Sequence, residues 1–128
     1  MKNEITTWDH RFMEMAELVA GWSKDPSTQV GCVLVDGRRR ILSLGYNGFP
    51  RGVEDCQSRL HERDQKYLFT QHAEANAVLQ AASSVYGATA YITHHPCANC
   101  TGILIQSGIA RVITHRPDPG LLSRSETV

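Results

Sequence analysis

Apolar side chains recur at Trp8, Phe12, Met15, Ala16, Val19 and Trp22, a spacing of three and four that marks one face of a helix. Thr7 or Asp9 is placed to cap its start. The pattern stops at Ser23-Lys24-Asp25-Pro26, because a proline blocks helix continuation and pushes the residue before it to extended backbone. Gln29 to Val35 and Ile41 to Tyr46 are β-rich runs on either side of Asp36-Gly37 and three arginines, which predicts a hairpin. From Asn47 to Gln71 the chain carries Gly48, Pro50, Gly52 and many charges with little periodicity. That stretch predicts a long loop with a short helix around Leu60 to Tyr67, and long loops in a compact domain are often functional. Ala73 to Ala82 is alanine-rich and apolar on most sides, as in a helix buried against a sheet, and Gly87 closes it. Ala88 to His94 then predicts a strand, Cys97 to Ser107 a helix with Gly108 just past its end, and Ile109 to His115 a further strand.

Alternating strands and helices in the second half imply right-handed crossovers and a largely parallel sheet there. With the hairpin added, the expected fold class is α/β, a three-layer α/β/α arrangement around a mixed central sheet. Residues 116–128 begin with Pro117, Pro119 and Gly120 and show no strand pattern, so they are expected to form an irregular tail that leaves the sheet short at the C-terminus. The chain shows no repeat or linker. Its 128 residues suit one domain, a size that buries roughly two thirds of the unfolded surface.

Thirteen basic and thirteen acidic residues balance, and no stretch gathers a phosphate-tracking basic groove, which weighs against a nucleic-acid polymer as partner. Arg38-Arg39-Arg40 reads as a solvated turn. The amino terminus lacks an apolar core of signal-peptide length, and no apolar run approaches the roughly 20 residues of a membrane span. A soluble, cytoplasmic protein is expected. The four cysteines are spaced unlike a disulfide framework: Cys97 and Cys100 are paired, Cys32 alternates with Val30 and Leu34 as a small core residue, and Cys56 sits in a polar loop.

The chemistry concentrates in His72-Ala73-Glu74 and Pro96-Cys97-Ala98-Asn99-Cys100. His72, Cys97 and Cys100 are three soft ligands, and three protein ligands leave a zinc ion one position for water, the mark of a catalytic rather than a structural site. Both groups fall at helix starts, where the positive end of the macrodipole is expected to lower the pKa of Cys97 and Cys100. Cys97 and Cys100 are three apart, so both sulfurs can face one ion. His72 and Glu74 are two apart, and only a site off the helix end is within reach of both. Zinc lowers the pKa of a bound water to about 7, and Glu74 would take its proton and return it to a leaving amine as general base and acid. A redox pair or half of a structural zinc site does not explain His72 and Glu74. His94 and His95 read as wall or strand-end residues, and His10 and His115 carry no signal. Cys56 with His61 offers only two ligands for a second metal, so a free thiol is the simpler reading and one zinc per chain is expected.

His-x-Glu with Pro-Cys-x-x-Cys is the signature of zinc nucleobase deaminases. Further stretches narrow the resemblance: Ser23-Lys24-Asp25-Pro26-Ser27-Thr28-Gln29-Val30-Gly31, Gly45-Tyr46-Asn47-Gly48-Phe49-Pro50-Arg51-Gly52, and Gln106-Ser107-Gly108-Ile109. From near residue 9 to near 115 the chain resembles the deoxycytidylate deaminase branch of the cytidine deaminase superfamily. The resemblance implies the cytidine-deaminase-like fold and conversion of dCMP to dUMP for thymidylate synthesis. It also implies that Asn47 lies over the sugar and meets its 3′-hydroxyl, and that the backbone of Ala73 and Glu74 meets the pyrimidine edge. The loop of Ser23, Lys24, Ser27 and Thr28 would approach the 5′-phosphate. Family members are often hexamers activated by dCTP and inhibited by dTTP near a Gly-Tyr-Asn-Gly loop, here Gly45, Tyr46, Asn47 and Gly48. The chain lacks the cysteine-rich insertion of some viral members and stops soon after the fourth expected strand. Three alternatives stay open: deamination of another cytosine nucleotide or nucleoside, of a tRNA or DNA base, or a non-catalytic zinc domain.

Overall fold

Thr6 opens the first helix by a reciprocal pair of bonds. Its hydroxyl accepts from the Asp9 N–H at 3.2 Å, while its own N–H donates to the Asp9 carboxylate at 2.9 Å. The cap is thus Thr6, with Asp9 as its partner, and not Thr7 or Asp9 alone. The structure, a computed structural model, describes residues 5–49, 70–115 and the strand Leu122–Glu126. The expected short helix around Leu60 to Tyr67 lies outside the described residues, as do Cys56 and His61.

Helix α1 (Thr7–Ala20) buries Asp9, Phe12, Met13, Ala16, Val19 and Ala20. The buried stripe is rotated from the expected one, because Trp8 and Trp22 sit at its rim, 38% and 51% exposed. Strands β1 (Gly31–Val35) and β2 (Ile41–Tyr46) form the expected antiparallel hairpin. Helix α2 (Ala73–Gln80) leads to β3 (Thr89–Ile92), then α3 (Ala98–Gln106), β4 (Arg111–His115) and β5 (Leu122–Glu126). β1 begins two residues later than the pattern suggests, since the Val30 N–H is drawn off the ladder to the Asn47 side chain. α2 stops before Ala82 because Ala81 turns to extended backbone.

The sheet order is β2-β1-β3-β4-β5. β3 and β4 run parallel through the α3 crossover; the other neighbouring pairs are antiparallel. β5 corrects the expectation of an irregular tail. Its sequence, Leu-Ser-Arg-Ser-Glu, has no apolar alternation, and what makes it a strand is backbone pairing to β4 at the sheet edge. Nothing local in composition announces such pairing.

Period-two alternation sends successive strand residues into two cores. Val33, Val35, Tyr91 and Ile113 meet Phe12, Met13, Ala16 and Val19 of α1 on one face. Cys32, Leu34, Ala90, Ile92 and Val112 meet Ala73, Ala77 and Leu104 of α2 and α3 on the other. The three-layer α/β/α reading therefore holds, and Cys32 is the core residue it was expected to be.

Two backbone contacts set how closely the helices lie. A Cβ on Gly45 would stand 2.5 Å from both the Ala73 carbonyl oxygen and the Ala77 nitrogen, so only glycine lets the start of α2 rest on β2. The Ser43 hydroxyl donates to the Ala77 carbonyl at 2.6 Å and the Asn76 amide to the Tyr46 carbonyl at 2.8 Å. Together they hold the end of α2 that carries His72 and Glu74.

Candidate metal centre and substrate loop

His72 and Cys97 are the residues that precede α2 and α3, both in extended backbone, which aims the two helix starts at a shared point. The His72 side chain makes no capping bond, so its ring turns outward from the helix. Cys97 does cap: its sulfur accepts the Cys100 N–H at 3.4 Å, fixing the sulfur over the first turn of α3. His72 Nδ1 lies 3.2 Å from Cys100 Sγ and 3.5 Å from Cys97 Sγ. A tetrahedral zinc with ordinary Zn–N and Zn–S lengths puts its nitrogen and sulfur ligands roughly 3.5 Å apart, so these residues fit the ion. His72, Cys97 and Cys100 form the one group of three or more ligand-type side chains within reach of one another among the described residues. His94 and His95 are exposed and stand apart from it, and His115 pairs with Glu17 at 2.9 Å.

Glu74, in the first turn of α2, is 4% exposed. Its carboxylate faces Cys100. Burial pushes the Cys100 thiol well above its usual range, and the charge and hydrogen bond of Glu74 and the Cys97 sulfur push it further. The helix start predicts a lowered value; burial and the two neighbouring acidic groups raise it in the metal-free protein. Cys32, fully buried below, is raised as well, by burial first and then by Glu74 and Cys100. The protein thus gathers acidic groups that favour a cation, and two helix N-termini add positive potential.

The loop after α1 is organised inward. Ser23 is buried, and its hydroxyl donates to the Asn47 carbonyl at 2.9 Å and accepts the Asp25 N–H at 3.2 Å. One Asp25 carboxylate oxygen accepts the Ser27 N–H at 2.9 Å, the Ser27 hydroxyl at 3.1 Å and the Thr28 N–H at 2.9 Å. Of the expected phosphate donors, these turn N–H groups and the hydroxyls of Ser23 and Ser27 therefore point within the loop; Lys24 and Thr28 are exposed. Asp25 has no assigned role among the expected site residues, although Asp-Pro-Ser is a signal for a side-chain-closed turn.

Asn47 is buried, 6% exposed. Its Oδ1 accepts the Val30 N–H and its Nδ2 donates to the Thr28 carbonyl, each at 2.9 Å. Gly48 pairs with Gln71, the residue before His72, through two backbone bonds of 3.0 and 2.7 Å. Gly45 is covered by α2, whereas Tyr46 is 38% exposed and stands edge-on to Trp22 with ring centroids 6.3 Å apart. Ala73 is fully buried with its carbonyl under β2, so what its first turn offers a ligand is N–H groups, which lack intrahelical acceptors. No helix among the described residues is long and apolar enough to cross a membrane.

Residues 6–116 match the family described as the cytidine and deoxycytidylate deaminase zinc-binding region. An uncharacterized deaminase encoded in the luxG 3′ region of Aliivibrio fischeri is 48% identical over 120 residues, 94% of this chain and 80% of that protein. Human deoxycytidylate deaminase is 36% identical over 118 residues, 88% of this chain. The chain spans 66% of that enzyme's length and 54% of a probable deoxycytidylate deaminase of Caenorhabditis elegans. Among solved structures, the dCMP deaminase of cyanophage S-TIM5 in complex with dCMP and dUMP superposes with a TM-score of 0.73 at 26% identity, covering 87% of this chain and 83% of that one.

Proposed function

The chain belongs to the cytidine and deoxycytidylate deaminase zinc-binding family, and on that premise we propose that it hydrolyses dCMP to dUMP and ammonia. The observation that carries the reading is the buried Glu74 carboxylate facing Cys100 beside the three-ligand cluster. His72, Cys97 and Cys100 would hold a zinc ion, which would supply Lewis-acid activation of water at neutral pH. Glu74 does the proton work. As water adds to C4 of cytosine, the carboxylate takes one of its protons and gives it to N3, then takes the second from the new C4 hydroxyl and passes it to the departing amine. The water oxygen stays as the C4 carbonyl, and the nitrogen leaves as ammonia. First-turn N–H groups of α2, at Ala73 and Glu74, hold the pyrimidine edge.

The nucleotide part of the substrate is assigned to the Ser23 to Val30 loop and Asn47. With Asp25 filling the turn, the phosphate is left to Lys24 and the Thr28 hydroxyl, and Ser23 and Ser27 support them from within. A homo-oligomer, regulation by dCTP and dTTP at Gly45 to Gly48, and a place in the reducing cytosol that keeps both ligand cysteines as thiols belong to the same reading. The direct test offers the zinc-loaded protein dCMP, CMP, deoxycytidine and an RNA hairpin and follows ammonia. Preferred turnover of dCMP supports the proposal; turnover of RNA alone, or of none, overturns it.

A further inference from the structure

Asn47 sits at a junction. Its side-chain amide bonds the backbone on both sides of Gln29, at Thr28 and Val30, its N–H donates to the Val30 carbonyl at 3.3 Å, and its carbonyl holds the other end of the same loop by accepting the Ser23 hydroxyl. One residue further on, Gly48 exchanges two backbone bonds with Gln71. The next residue in the chain is His72, whose Nδ1 lies within 3.5 Å of both cysteine sulfurs. Both the loop and the arm carrying the histidine ligand are therefore referenced to one dipeptide. A buried amide whose oxygen and nitrogen are both bonded to backbone is costly to remove, because the Val30 N–H and Thr28 carbonyl would lose their partners.

We propose that Asn47 is a positioning residue that sets the substrate loop and the His72 ligand together, in addition to any contact its amide makes with a sugar. The part of the proposal that concerns catalysis rests on the dCMP reading; the part that concerns the metal does not.

The experiment uses the full chain as wild type, Asn47→Ala and Asn47→Asp. Zinc affinity is measured first, without nucleotide, by competition with a chelator well below the melting temperature. Loss of a residue that orients a ligand lowers affinity by about 10-fold or more, as at other outer-sphere positions. Steady-state rates follow for dCMP and for 2′,3′-dideoxycytidine monophosphate, which lacks the 3′-hydroxyl. A positioning residue lowers kcat/KM by the same factor for both. Unchanged zinc affinity, with a loss confined to the substrate that carries the 3′-hydroxyl, overturns the proposal and makes Asn47 a sugar contact only. Asn47→Asp keeps the acceptor for Val30 but sets a carboxylate oxygen against the Thr28 carbonyl, so it shows a loss of the same form without leaving a cavity and serves if Asn47→Ala does not fold. If the wild type leaves dCMP untouched, the dCMP reading fails, and the zinc comparison alone upholds or overturns the positioning role.

Discussion

Glu74 turns its carboxylate toward Cys100 and away from solvent, although both residues are acidic and both are buried. Placing two such groups together in a low-dielectric site is unfavourable for the protein alone and favourable once a cation joins them. The pair is thus the structural mark of a site built around positive charge, with the first turns of α2 and α3 supplying part of it and the metal the rest.

Metal binding should accordingly stabilise the fold. At free zinc 100-fold above its dissociation constant the gain is about 2.7 kcal/mol, seen as a rise in Tm in calorimetry. Cys100→Ala should abolish the rise, since it removes a buried ligand from the only three-member group among the described residues. A zinc-dependent rise that survives in Cys100→Ala would place the ion elsewhere.

Gly45→Ala tests the seating of α2. The added methyl meets the Ala73 carbonyl and the Ala77 nitrogen, both backbone atoms of a helix that cannot yield singly. Overpacking of this kind costs about 1–3 kcal/mol, measured as a lower urea midpoint with an unchanged slope. Activity should fall further than stability, because the displaced end of α2 carries His72 and Glu74. A Gly45→Ala variant with normal kcat would show that the close approach does not position the site.

Asp9 supplies a pH test on the opposite face of the sheet. Burial by itself would raise its carboxyl, but bonds from Thr6 and the Tyr91 hydroxyl, together with the Arg111 charge, hold it below its ordinary value. The Tyr91 hydroxyl donates at 2.6 Å and Arg111 Nη2 at 3.2 Å. A carboxyl lowered by folding contributes stability in full above its unfolded value of about 3.9, and that contribution is lost as pH falls through the lower folded value. The Tm difference between wild type and Tyr91→Phe should be widest above about pH 5 and should narrow as the solution is acidified. A difference independent of pH would mean that the hydroxyl contributes packing alone.

The sequence announced α1, the hairpin and the metal ligands because each has a local signature: three-four spacing, β-rich runs around Asp-Gly, and ligand types at helix starts. β5 has none, since pairing at a sheet edge needs only backbone. A helix start is visible in one dimension and predicts a lowered Cys100 thiol, whereas the burial beside Glu74 and Cys97 that raises it in the metal-free protein is a property of three. Asp25 and the Gly48–Gln71 pairing escaped for a related reason. Their partners are fixed by the way the loops fold back, and only the Asp-Pro-Ser turn signal hinted at it. Asp9 did leave a trace, as an acid on the face of α1 that also carries Phe12, Met13 and Ala16.

Lys24→Ala addresses the phosphate end of the substrate. Removing one charge-assisted hydrogen bond should raise KM for dCMP by about 10-fold. KM for deoxycytidine, which has no phosphate, should stay where it is. An equal rise for both substrates would remove Lys24 from the phosphate site.

A proton-carrying carboxylate beside a zinc held by His72, Cys97 and Cys100 is the core of the proposed reaction. It is tested most directly by Glu74→Gln, assayed for zinc content and for dUMP formed from dCMP. Both proteins should hold one zinc per chain, and the kcat of the variant should be lower by about 10²- to 10⁴-fold, the range of a lost general acid and base. A variant that keeps its zinc and deaminates dCMP at the wild-type rate would contradict it.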